Sequence, residues 1–177
     1  LVSIQEKDAR KIVIYYHFER KIKMGKFNGK IHAEFTPPKT WKLEKTLSFA
    51  MNDLTQAEIG TLHQVGANIS GVGRVTCKTG MVTDLASVPR ICWAVLSPWD
   101  VARAAVIHDH LYATLRKYYH SDGMHKKTWR VARKLSDGVF LKGMKSADPR
   151  VSKFKMYSAY WAVRMFGRWP ASAKEKV

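Results

Sequence analysis

The segment "SPWDVARAAVIHDHLYATL", Ser97 to Leu115, constrains the fold more than any other part of the chain, because it reads as one long helix with an apolar side. Ser97 is placed to cap, and Pro98 suits the first helical position, where no backbone N–H is needed. Asp100 completes a capping box and complements the positive helix end. At about 100° per residue, Val101, Ala104, Ala105, His108, Leu111, Tyr112 and Leu115 fall on one stripe. The pattern predicts a helix continuing to about Tyr119, with His108 at the centre of the face turned into the protein. Asp109, at the edge of the stripe, and Tyr112 flank it on one side.

The segments before this helix read as strands. "IVIYYHF", Ile12 to Phe18, is rich in β-branched and aromatic residues. In "FNGKIHAEF" the Asn28-Gly29 pair predicts a tight hairpin turn. After Pro37-Pro38, "WKLEKTLSF" alternates with period two and predicts one half-buried strand. A short helix is expected to start at Asp53 or Thr55, and "GRVTCKTGMVTDL" reads as two short strands joined at Lys78-Thr79-Gly80. Two further helices follow the first, one opened by Ser121, the other opened by Asp148-Pro149 and closed by Gly167 with Pro170 beyond. Strands first and helices after predict an α+β fold.

With 177 residues, 46% of them hydrophobic, the chain suits one domain spanning residues 1–177. Within it, residues 1–70 form a strand-rich part suited to attachment, 71–170 an α-rich core, and 171–177 a basic tail. Thirty-one Lys and Arg against 14 Asp and Glu give a net charge of +17, which favours phosphate, nucleic acid or anionic lipid as partners. Cys77 and Cys92 are too few for a disulfide framework; free thiols are the plain expectation, with a single bridge between them the alternative. No apolar run reaches the roughly 20 residues of a membrane-spanning helix. The opening "LVSIQEKDARK" lacks the order of a signal peptide, so the protein is expected to be soluble, inside a cell or packed in a particle.

A lone buried His-Asp pair is more often a satisfied core histidine than a catalytic group. Two features favour chemistry. Asp122, at the opening of the next helix, is placed to return toward His108 across a helix hairpin and to fix the tautomer of its ring. Asp84 lies in "TDLASVPR", an irregular polar segment that suits a pocket wall, although ordinary turn chemistry explains its composition equally well.

The ordered series "TGMVTDLASVPR", "ARAAVIHDHLY", "SDGMHKKTW" and "MYSAYWAVRMFG" resembles an uncharacterised family of phage and prophage-borne proteins, over roughly half of the chain. The resemblance implies a phage origin, with other virion or tail proteins as partners, but no activity. This chain departs from the family pattern at His125, where a bulky apolar residue is expected, and its first 70 or so residues have no counterpart. The closing helix, with Phe154, Tyr157, Trp161 and Met165, is expected to be core.

The HDxxY helix is also similar to the catalytic helix of secreted and parvovirus-capsid phospholipases. That similarity implies His108 as the base that activates water, Asp109 as a calcium ligand, Asp122 as the carboxylate orienting His108, and Tyr112 as its support. Asp84 is the second candidate ligand for a divalent cation such as calcium. The phospholipase calcium loop has no counterpart, since the glycine-rich "SGVGR", Ser70 to Arg74, lies well before the helix.

His17, His32 and His63 have no metal-like spacing, and two cysteines alone cannot hold structural zinc. Lys126, Lys127, Arg130, Arg133 and Lys134 on the second helix, and Arg150, Lys153, Lys155, Arg164 and Arg168 around the third, form basic faces near Trp129 and Trp169. These faces suit nucleic acid or another anion, or simply solvent. Three readings result: a hydrolase acting on ester or amide bonds of host envelope lipid or peptidoglycan, a virion structural protein in which the cluster is architectural, and a DNA-associated basic protein.

Overall fold

The computed structural model describes residues 25–37, 40–83, 98–148 and 150–174. The expected strand at Ile12 to Phe18, together with His17, Asp84, Cys92 and the capping Ser97, lies outside the described residues.

The fold is α+β: antiparallel strands in two small sheets, then a helical region. One sheet has the order β1 (Lys26–Phe27), β4 (Leu47–Ala50), β5 (Arg74–Cys77); the other has β2 (Ala33–Thr36), β3 (Thr40–Leu43), β6 (Val82–Thr83). A short helix, α1 (Gln56–Gln64), separates β4 from β5, and its N-terminus is the expected Thr55. Thr55 and Glu58 satisfy one another's backbone N–H groups, at 3.2 and 2.9 Å, in a capping box. Four helices follow: α2 (Pro98–Tyr119), α3 (Lys126–Lys145), α4 (Lys153–Phe166) and the short α5 (Arg168–Ser172).

The predicted hairpin at Asn28-Gly29 does not form, because its flanks join different sheets: Phe27 pairs with Phe49 and Ala33 with Leu43. Asn28 serves another purpose. Its side chain donates to Thr46 O at 2.9 Å and accepts from Ser48 N at 2.8 Å, extending the β1–β4 ladder by a side chain. "WKLEKTLSF" likewise divides at Glu44 to Thr46 into β3 and β4, since Leu43 and Leu47 are both needed in the core but on different sheets. β5 and β6 are the two predicted strands around Lys78-Thr79-Gly80, and they too part into separate sheets.

The stripe predicted on α2 is buried throughout, from Val101 to Leu115. The helix is in fact covered on more sides than one stripe requires, with Ala102, Val106 and Ile107 buried as well. Against it lies α3, held close by Gly143: a Cβ there would stand 2.8 Å from the Cβ of Ala104. The α3 N-cap is His125 rather than Ser121, and it makes no side-chain capping bond. In α4 the cap is Ser152, whose hydroxyl accepts from Lys155 N, rather than Asp148; Gly167 ends that helix as expected. Phe154, Tyr157, Trp161 and Met165 are not core: the face of α4 turned inward carries the smaller Ala159, Ala162 and Val163 with Met156. Among the described residues no helix is long and apolar enough to cross a membrane.

Candidate functional site

His108 projects from the middle of α2 into the α2–α3 contact, with its ring stacked near Tyr112 and Phe140 at centroid distances of 4.1 and 4.9 Å. Its Nε2 lies 3.1 Å from Oδ1 of Asp137, and both residues are 0% exposed. The Tyr112 hydroxyl donates to the same oxygen at 2.7 Å. Arg164, from α4, donates to Oδ2 at 2.6 Å, and Arg133, one turn earlier on α3, lies 3.8 Å from it. One buried carboxylate thus gathers a histidine, a tyrosine and two guanidiniums from three helices.

The arrangement determines the histidine's protonation pattern. A carboxylate accepts and does not donate, so Nε2 carries a hydrogen and, in the neutral ring, Nδ1 carries the lone pair. Nδ1 is buried and has no hydrogen-bond partner. Burial, and then the Asp137 charge, push the Tyr112 hydroxyl far above its ordinary pKa, so it remains a donor.

Asp109, on the next sector of α2, is also buried, and Thr83 of β6 donates to its Oδ2. Behind it, Cys77 is a buried free thiol pushed up to about 12 by burial and by the Asp109 charge, which makes it inert at neutral pH. His110 completes a run of three polar residues on consecutive sectors of the helix; burial, then Lys117, lower its pKa. Thr83 is also in the wall of a cavity of about 400 Å3 between α2 and the β2–β3–β6 sheet. Ile31, Trp41, Leu43 and Val106 make that cavity apolar, and Lys30, Arg103 and Asp148 bring charges of both signs to it.

The structure therefore brings His108 and Tyr112 together on Asp137, holds Asp109 separately on Thr83, and leaves Asp122 out of both groups. Asp122 is exposed in the turn after α2, and Asp137 takes the place expected of it. The reason is helix register. In an antiparallel pair, a residue far from the end of α2 meets one equally far from the start of α3, and Asp137 stands at that level. Asp122, at the turn, is about 16 Å away along the axis at the helical rise per residue. Asp84 lies outside the described residues. His125 is an exposed cap whose backbone N–H donates to the Tyr118 hydroxyl, not a pocket residue.

Of the basic face expected on α3, Lys126, Lys127 and Arg130 are exposed. Arg133 is not part of it: its guanidinium turns to Asp137 and to Arg164 O, because a buried carboxylate one turn away is the stronger partner. Arg164 and Trp129 are turned inward in the same way.

Three residues of the cluster escaped the sequence reading: Asp137, Arg164 and Thr83. The signal for Asp137 was its position among the buried Ser136, Val139 and Phe140, inside the apolar sector of α3. Arg164 and Gly167 belong to the closing "AVRMFG" segment, and both act on this site. A Cβ at Gly167 would collide with the Tyr112 hydroxyl and with Val163 O.

A cation at Asp109 is not supported by these surroundings. Among the described residues no three His, Cys, Asp or Glu converge to hold a metal, and Thr83 occupies one carboxylate oxygen.

Neither the curated proteins nor the solved structures contain a match to this chain. A family model does match, over residues 66–163, a segment that includes β5, β6, α2, α3 and most of α4. The chain belongs to the family described as a protein of unknown function, DUF1353.

Proposed function

We propose that this protein is a phage-encoded hydrolase of the virion or its tail, in which His108 and Asp137 cleave ester or amide bonds of the host envelope. The observation that carries this reading is the state of His108: one ring nitrogen is held on a carboxylate, and the other, a lone pair, has no partner. That is the configuration of a general base. Nδ1 takes a proton from water, and the hydroxide adds to the carbonyl carbon. The tetrahedral intermediate then breaks its C–O or C–N bond, and the leaving group takes the proton back from the imidazolium. Asp137 offsets the ring's transient charge, while Tyr112 and Arg164 keep the carboxylate in place. The Arg164 charge also draws on Asp137 and moderates its help to the histidine.

The test is release of product from phospholipid and from peptidoglycan by purified protein. His108→Ala is expected to lower the rate by about 10²–10⁴-fold, the ordinary contribution of a general base. No release from either substrate, or an unchanged rate in the variant, ends this reading.

Complete burial of His108 and Asp137 favours a second reading, in which the cluster fixes the helices of a virion structural protein. It predicts that His108→Ala costs about 1–3 kcal/mol of stability by orphaning polar partners, with no turnover by any form of the protein. An incorporation assay with folded variant protein separates the two readings.

A further inference from the structure

We infer that the outward face of α4, continued by Trp169 of α5, is a docking surface for an anionic lipid bilayer. This inference does not depend on catalysis by His108.

Phe154, Trp161 and Met165 lie within a narrow sector of α4, opposite the buried Ala159, Ala162 and Val163. They are 75, 60 and 66% exposed, and Trp169 is 73% exposed. Tyr157, 43% exposed, widens the face. Side chains of this size exposed in series exceed the scattered apolar residues normal on a protein surface, and they mark a contact face.

Charge selects the occupant. From Arg150 to Lys174 the sequence carries six cationic side chains and no carboxylate. Arg150, Lys153 and Arg168 are exposed around the aromatic face, and Lys145 lies 5.8 Å from the Tyr157 ring. A second copy of a chain with net charge +17 would bring like charges together across this face. Duplex DNA would satisfy the cations but would leave Phe154 and Met165 in water, because phosphate contacts need no apolar surface. A bilayer of anionic lipid satisfies both: phosphates meet the cations, the aliphatic and aromatic bulk enters the acyl boundary, and the Trp and Tyr rings sit at headgroup depth.

The experiment is co-sedimentation of the full chain with phosphatidylcholine vesicles, with and without phosphatidylglycerol. Binding is expected with phosphatidylglycerol, and to be weaker by about tenfold or more without it. The double variant Phe154→Ser, Trp161→Ser should weaken binding about tenfold or more, from the apolar area it withdraws. Lys153→Gln with Arg168→Gln should weaken it and flatten its salt dependence, and Trp161→Phe should retain it. All these positions are exposed, and thermal melting checks that each variant is folded. No binding to phosphatidylglycerol vesicles, or equal binding by the apolar double variant, overturns the inference. So does tighter binding to duplex DNA that is lost in the same variants. A dimer of the wild-type chain that the apolar variant abolishes would assign the face to a second copy instead.

Discussion

Helices α2 and α4 invert each other. α2 is wrapped on nearly every side and holds its polar residues inside: His108 is 0% and Asp109 5% exposed. α4 is covered on one side and holds its largest apolar residues outside. The difference shows that neighbours, not residue type, decide what is buried. His108 and Asp109 are inside because Asp137, Tyr112 and Thr83 satisfy them there. Ala159, Ala162 and Val163 are inside because small residues let α4 approach closely enough for Arg164 to reach Asp137.

The comparison breaks most visibly at Asp137. Asp137→Ala leaves the Arg164 guanidinium, a tyrosine hydroxyl and His108 Nε2 without their acceptor and removes the counter-charge of Arg133, and is expected to cost about 3–5 kcal/mol, measured by urea unfolding. If the loss is below 1 kcal/mol, the polar cluster does not hold the helices together. Gly167→Ala is next, at about 1–3 kcal/mol, because the added methyl must displace the Tyr112 hydroxyl or the end of α4. Tyr112→Phe in the same background should recover part of that loss; no recovery would place the clash elsewhere.

His110 tests α2 through pH. Burial keeps its native-state pKa below the ordinary 6.5, so the unfolded chain binds the proton first. Its contribution is complete above 6.5 and is lost as pH falls toward the native-state value, with a slope of at most about 1.4 kcal/mol per pH unit. His110→Gln should remove that slope from stability curves taken on either side of 6.5. The smallest effect belongs to α4: Phe154→Ser should shift stability by no more than about 0.5 kcal/mol, as for exposed positions generally. A larger loss in thermal melting would mean that its face is packed after all.

Much of this was legible in the sequence, for reasons that also explain the errors. The α2 stripe was correct because seven positions at helical spacing leave few alternatives, and the α+β order followed from the order of the segments. His108 and Tyr112 came together because both belong to that stripe. Their carboxylate was misplaced because a partner across a helix hairpin depends on where the second helix starts, and His125, not Ser121, begins α3. Asn28-Gly29 misled because turn propensity does not reveal which sheet each flank will join. α4 is apolar on two faces, and side-chain size alone points to the wrong one as core.

The interleaving of the two sheets bears on how the chain can be divided. β5 and β6 lie within the family-matched segment, yet each completes a sheet whose other two strands precede residue 66. A fragment cut at the family boundary would carry two orphaned strands with open edges and an uncovered side of α2. Such a fragment should aggregate on expression. In this chain the unit of folding is larger than the unit of kinship.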